Sequence, residues 1–206
     1  SNPTGVLAAK LAGIPTVFDT MDGPQQGLHY RMPAAIADIV TASELLGLKH
    51  PRLLTYPGIM QMAHVPVVAN RSQLRAELGL SDESLVVVLR VSAYNSSHDR
   101  GKLGLRGPLL DTILKWLNTT FDGVFVSAEA QGHLASTAWV HKNPARFLEL
   151  LGAADLVVGD SVTVAAEAAV AGTPSIWISE FVGSRPIADE LERRFGVTRN
   201  VQLREA

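Results

Sequence analysis

Between Ser84 and Arg90 the chain runs Leu85-Val86-Val87-Val88-Leu89 without a polar interruption, and no other segment constrains the fold as much. Five consecutive apolar residues, three of them β-branched, suit a strand buried on both faces, and such strands belong to parallel sheets covered by helices. Parallel neighbours need a crossover of a dozen or more residues between them. The sequence downstream supplies those crossovers in rhythm. Residues 109–118 read as helix, 123–127 as strand, 144–153 as a helix opened by Pro144, and 155–158 as strand. Then come a helix over 162–171 ending at Gly172, a strand over 174–178, and a last helix over 186–195. Strands of about five residues alternating with helices of about ten predict a doubly wound α/β domain.

Upstream the same alphabet recurs in shorter form. Thr4 is placed to cap an Ala/Leu-rich helix over 4–12 that stops at Gly13, and residues 14–18 form a brief strand. The polar cluster Asp19-Thr20-Met21-Asp22-Gly23-Pro24 follows as a loop. Residues 36–41 and 52–56 read as two more strands, with a helix or turn over 43–48 between them. Tyr56-Pro57-Gly58 closes the second, and Val65-Pro66-Val67-Val68-Ala69 has the extended character of a linker before a helix over 71–79. The boundary is therefore expected near Asn70, between a partial N-terminal Rossmann-like lobe at 1–69 and a C-terminal Rossmann-like, nucleotide-binding lobe at 70–206, with a cleft between them. The chain opens Ser1-Asn2-Pro3 without an initiator Met, and a further N-terminal part is expected in the natural protein.

Composition excludes several functions. The net charge is -2 and the 18 basic residues are scattered, so no stripe stands ready to neutralise a nucleic-acid backbone. There is no cysteine, hence no disulfide, thiolate metal site or thiol nucleophile. No apolar run approaches the roughly 18 residues of a membrane span, and no leader peptide is visible. The expectation is a cytoplasmic protein without transmembrane segment or nucleic-acid partner, with homodimerisation left open.

In an open parallel sheet, ligands bind beyond the carboxyl ends of the strands. Three such ends carry polar residues. The first leads into Arg90, Ser92, His98, Arg100 and Lys102, a loop long enough to be a binding element. The second leads into Ser127 and Glu129, which are secondary cleft candidates. The third leads into Gly159-Asp160-Ser161-Val162-Thr163, where a glycine and hydroxyl residues at a helix start present N-H groups and a positive helix end to an anion. Glu167 lies six residues beyond Ser161, about 9 Å along a helix, which matches the distance from a pyrophosphate to its ribose. A carboxylate there can accept both ribose hydroxyls, while Arg90, Arg100 and Lys102 meet the diphosphate from the other side. The plainer alternatives are that Asp160 or Ser161 is only an N-cap, that Glu167 is a solvated helix residue, and that Asp19 and Asp22 only form a turn. His98 is either an acid/base group or half of a loop-stabilising pair with Asp99.

Gly159-Asp160-Ser161, Glu167-Ala168 and Gly172-Thr173-Pro174 together resemble the donor-nucleotide segment of GT-B enzymes, and in particular the non-hydrolysing UDP-N-acetylglucosamine 2-epimerases. Val162 and Thr163 stand where those enzymes carry two glycines. Ala8-Ala9-Lys10-Leu11-Ala12-Gly13-Ile14-Pro15 resembles their helix-to-strand junction ahead of a catalytic carboxylate, for which Asp19 is the nearest counterpart. A likeness over nearly the whole chain is to the prokaryotic domain-of-unknown-function 354 family, grouped with the GT-B superfamily. It rests on Tyr56-Pro57-Gly58, Arg90-Val91-Ser92-Ala93-Tyr94, Ser97-His98-Asp99 with Gly101-Lys102, Ser127-Ala128-Glu129, Gly159-Asp160-Ser161 with Thr163 and Glu167, and Phe181-Val182-Gly183-Ser184.

These resemblances imply a GT-B fold and a small-molecule partner, a nucleoside-diphosphate sugar with UDP as the expected leaving group, bound without cofactor or metal. The leading expectation is a glycosyltransferase-like enzyme in which Asp19 or Asp22 activates an undefined acceptor and His98 serves as acid/base. The alternatives are a sugar 2-epimerase and a nucleotide-sugar-binding protein without turnover.

Overall fold

The computed structural model describes residues 3–66, 70–94, 102, 104–128 and 144–204. The described residues form two parallel sheets with helices packed against them, an α/β architecture. The first sheet has the order β1-β2-β3, with β1 at Val17–Thr20, β2 at Ile39–Ser43 and β3 at Leu53–Tyr56. All its pairs are parallel, in the register Asp19 to Thr41 and Ser43 to Tyr56. Helix α1 (Pro3–Leu11) leads into β1, and α2 (Leu28–Ile36) crosses from β1 to β2. Phe18, Tyr30, Ala34, Ala37 and Val40 make the core of this lobe.

The second sheet has the order β5-β4-β6-β7-β8, again parallel throughout. Its strands are β4 (Val86–Val91), β5 (Gly123–Ala128), β6 (Leu156–Gly159), β7 (Ser175–Ser179) and β8 (Thr198–Gln202). Helices α3 (Arg71–Glu77), α4 (Gly107–Thr120), α5 (Phe147–Ala153), α6 (Val162–Ala171) and α7 (Pro186–Glu190) accompany them. The apolar run behaves as its composition requires. Val86, Val87, Val88 and Leu89 are wholly buried, with Val86 and Val88 in one core cluster and Val87 and Leu89 in the other. Alternate side chains of one strand thus feed cores on both sheet faces.

Three assignments differ from the sequence reading. Helix α2 was not foreseen, because Pro33 lies inside it and its moment is spread over a short segment. Asp19 and Thr20 belong to strand β1 rather than to the loop, since parallel pairing with Thr41 and Ala42 outweighs their turn preference. The chain does not finish on a helix. After α7 and the π turn Leu191–Phe195, Gly196 adopts a left-handed φ of 64° and β8 adds an edge strand. In addition, Thr4 lies within the first turn of α1, not at its cap. No helix among the described residues is long and apolar enough to cross a membrane.

The two sheets meet along an apolar seam. Ile59, from the segment after β3, packs with Ala166 of α6 and with Ile187 and Leu191, and Leu45 and Leu46 close on the same cluster.

Candidate functional site

Helix α6 is positioned from both ends by its own residues. Ser161 is the N-cap, with extended φ and ψ and an Oγ that accepts from Val164 N at 3.4 Å. At the other end Gly172 takes a φ of 84°, which only glycine adopts without strain, and its N-H satisfies the last carbonyls. Val164, Ala165, Ala166 and Ala168 are buried, so small side chains let the helix lie close on the sheet. The first turn remains open. Helix geometry leaves the N-H groups of Val162 and Thr163 without intrahelical acceptors, and both residues line a crevice of about 670 Å³ between the two sheets.

The Asp160 carboxylate is engaged within the protein. The residue is 5% exposed, and its carboxylate accepts from Ser92 N at 2.8 Å and from Leu105 N at 3.0 Å. Burial raises its pKa, and the Leu105 and Ser92 hydrogen bonds pull against that shift. It therefore fixes the segments that leave β4 and enter α4. Gly159 likewise serves the sheet, not a ligand. A Cβ there would stand 2.3 Å from the carbonyl oxygen of Arg90, so β6 can pair with β4 only through a glycine. The positions that sequence spacing assigns to a diphosphate are thus divided between anchoring the loop (Gly159, Asp160), capping the helix (Ser161) and facing the crevice (Thr163).

The crevice has a wall from each lobe. Met21, Asp22, His29 and Gln61 come from the first, and Val162, Thr163 and Ala166 from α6. The loop after β7 contributes Glu180, Phe181, Ser184 and Arg185, and Lys102 completes that side. The Arg185 guanidinium lies 4.9 Å from the centre of the Phe181 ring, and the Lys102 ammonium 5.7 Å from it. Two cations therefore converge on one aromatic beside a helix N-terminus. Each also has a carboxylate: Lys102 meets Glu180 at 3.1 Å, and Arg185 forms an ion pair with Asp22 across the lobes.

Glu167 is not solvated. Its side chain is 12% exposed and its Oε1 lies 3.1 Å from Nε2 of His64, a residue just past the 3-10 turn Met60–Ala63 of the other lobe. One carboxylate oxygen is thus engaged between the lobes, and Glu167 is not among the residues that line the crevice.

The remaining candidates separate. Asp22 lines the crevice, whereas Asp19 accepts from Thr41 Oγ1 at 2.8 Å within the first sheet and is not among the lining residues. Burial, together with the charge and hydrogen bond of Asp19, pushes the neighbouring Tyr56 phenol up to about 12. Arg90 Nη1 donates at 2.7 Å to Ser127, which is itself buried, and Arg90 is not among the lining residues. Ser92 contributes its backbone N-H to Asp160. His98, Arg100 and Glu129 lie outside the described residues. Sequence reasoning missed Arg185, Phe181, His29 and Gln61 as site residues. The first two follow a strand carboxyl end, that of β7, so the strand-end rule would have found them. His29 depended on the unforeseen α2, and a lone Gln carries no sequence signal.

No family model matches the chain, and no curated protein matches it, so the likeness to the domain-of-unknown-function 354 family rests on motifs alone. Solved structures do match. A UDP-GlcNAc 2-epimerase from Methanocaldococcus jannaschii aligns with a TM-score of 0.57 at 14% identity, over 97% of this chain and 63% of that one. A co-structure of S. aureus MnaA with UDP aligns with a TM-score of 0.58 at 10% identity, over 94% of this chain and 64% of that one. The fold is thus the GT-B arrangement of two Rossmann-like lobes. The chain spans less than two thirds of the length of either structure.

Proposed function

We propose that the crevice binds a nucleoside-diphosphate sugar, with UDP as the nucleotide, and that the chain is the greater part of a metal-independent, GT-B-type glycosyltransferase-like enzyme. The observation that carries this reading is the convergence of Lys102 and Arg185 on Phe181 beside the open first turn of α6. Two cations and a helix terminus in one concave wall suit a diphosphate, and Glu167 lies a turn beyond Thr163 for the ribose. The fold match to a UDP complex adds support.

In this reading the nucleophilic oxygen of an acceptor attacks the anomeric carbon, the bond from that carbon to the diphosphate oxygen breaks, and nucleoside diphosphate departs. Helix N-H groups and both cations stabilise the departing charge. Asp22 takes the acceptor proton. Because Arg185 is shared between Asp22 and the crevice, its turn towards the diphosphate releases Asp22 to act as base. Calorimetric titration of UDP tests the assignment. Glu167→Ala weakens binding about tenfold or more, the value of one charge-assisted hydrogen bond, and Arg185→Ala weakens it comparably. Absence of UDP binding removes the nucleotide reading, unchanged affinity in both variants removes the assignment of the nucleotide to this crevice, and a chelator that abolishes UDP binding removes metal independence.

Epimerisation at the same site is the second reading, supported by the fold match to a 2-epimerase. Incubation with UDP-N-acetylglucosamine in the absence of any acceptor, read by NMR, separates the two. A new sugar epimer without acceptor replaces the transferase reading.

A further inference from the structure

Among the described residues that line the crevice, the formal charges cancel. Lys102 and Arg185 stand against Glu180 and Asp22, each cation in an ion pair with one carboxylate. A diphosphate entering here meets two anions as well as two cations, so any further positive charge on the lining strengthens its hold. His29 is the remaining titratable residue of that lining. It is exposed, in the first turn of α2, and its imidazole makes no hydrogen bond or ion pair to any described residue. Asp22 and His29 flank the 3-10 turn Gly23–Gln26, and both line the crevice. Asp22 reaches from that turn to Arg185 on the other lobe, so the crevice there is one ion pair wide. A ligand held by Arg185 therefore lies opposite the turn that carries His29.

We infer that His29 is the first lobe's contact to the diphosphate: its protonated imidazole donates to a phosphate oxygen, while Lys102 and Arg185 hold the same group from the second lobe. The inference rests on the nucleotide reading above. An imidazolium beside a phosphate makes a charge-assisted hydrogen bond, and imidazole is the side chain whose charge turns over between about pH 5 and 8. On α2 itself the neighbouring charge is Arg31. The elements packed on α2 bring Lys10 from α1 and Asp19 from β1, and these are engaged by Asp38 and Thr41. Asp22 precedes the 3-10 turn, and Lys102, Glu180 and Arg185 stand across the crevice. A diphosphate between the walls adds negative charge that the ion pairs there do not balance, and an imidazolium does.

The test is calorimetric titration of UDP against the full chain and its His29→Gln variant at about pH 6 and about pH 8.5, on either side of the imidazole range. The quantity read is the ratio of the two proteins' affinities, in which protonation of UDP itself and of His64 cancels. The unmodified protein is expected to bind about fivefold or more tighter than the variant at the lower pH. The ratio should fall towards one at the higher pH, where an imidazole is neutral. Because His29 is exposed, the variant should melt with the parent; if it fails to fold, His29→Asn gives the same ratio. A ratio near one at both pH values, or one as large or larger at the higher pH, overturns the His29 assignment and leaves the nucleotide reading intact. Failure of the unmodified protein to bind UDP at either pH overturns both.

Discussion

The two sheets solve the same packing problem with different completeness. In the second, β4 has four consecutive side chains wholly buried, with a core cluster on either face. In the first, the edge strands stay open on one side: Val40 and Ala42 of β2 are wholly buried, whereas Val17 on β1 is 62% exposed and Leu54 on β3 is 58% exposed. Leu11, Ile14 and Leu28 of the same lobe are also exposed. The second lobe therefore makes its own core, while the first draws much of its cohesion from the seam that Ile59, Leu45 and Leu46 form with α6 and α7. Because that seam underlies the crevice, what holds the first lobe in place also sets the width of the site.

The largest expected effect strikes the tightest contact of the second sheet. Gly159→Ala would place a Cβ 2.3 Å from a main-chain oxygen of β4, and two paired strands cannot yield as a flexible side chain can. A loss of about 3 kcal/mol in urea unfolding is expected, at the upper end for overpacking. A neutral result would show that β6 and β4 are more loosely paired than this contact requires. A matched pair of substitutions then measures the contrast directly. Val88→Thr buries a hydroxyl where no partner waits and should cost about 2 kcal/mol, while Val17→Thr at the exposed edge should stay within about 0.5 kcal/mol. Equal costs would erase the distinction between the lobes.

That contrast also explains what could be read from the sequence. Every helix and strand called between 71 and 195 has a counterpart in the structure, because parallel strands buried on both faces write their position as continuous apolar runs and their helices end on glycines such as Gly172. The first lobe was harder, since its edge strands are only half enclosed. Asp19 and Thr20 carry turn chemistry but sit in β1, and α2 hides behind Pro33. The candidate site was legible as a place more than as a set of residues. Spacing located the start of α6 correctly, but it could not tell which polar groups the protein uses internally. Asp160 has the right chemistry for a ligand and engages Ser92 and Leu105 instead, and Arg90 donates to Ser127. Gln61 reaches the crevice through tertiary contacts, which leave no local pattern in the chain.

The smallest expected effect belongs to the first lobe and tests whether charge compensates for its thin core. Asp38, at the entry to β2, accepts from Lys10 Nζ at 2.6 Å, from Thr16 N at 2.8 Å and from Thr16 Oγ1 at 3.0 Å. The Lys10 hydrogen bond first, and the Thr16 bonds after it, hold its carboxyl down at about 2. A carboxyl depressed in the folded state binds its proton later than in the unfolded chain. Its contribution is therefore complete above the ordinary aspartate range, near pH 4, and is lost as the pH falls towards 2. Since Lys10 and Asp38 are exposed, the contribution is small and screened by salt. Asp38→Asn should barely change stability at pH 7 and should flatten the acid limb of a pH titration between about 4 and 2. If the variant instead loses as much at neutral pH as Val88→Thr, then α1 is pinned to the sheet by this charge cluster, and the first lobe substitutes electrostatics for the apolar enclosure that β4 enjoys.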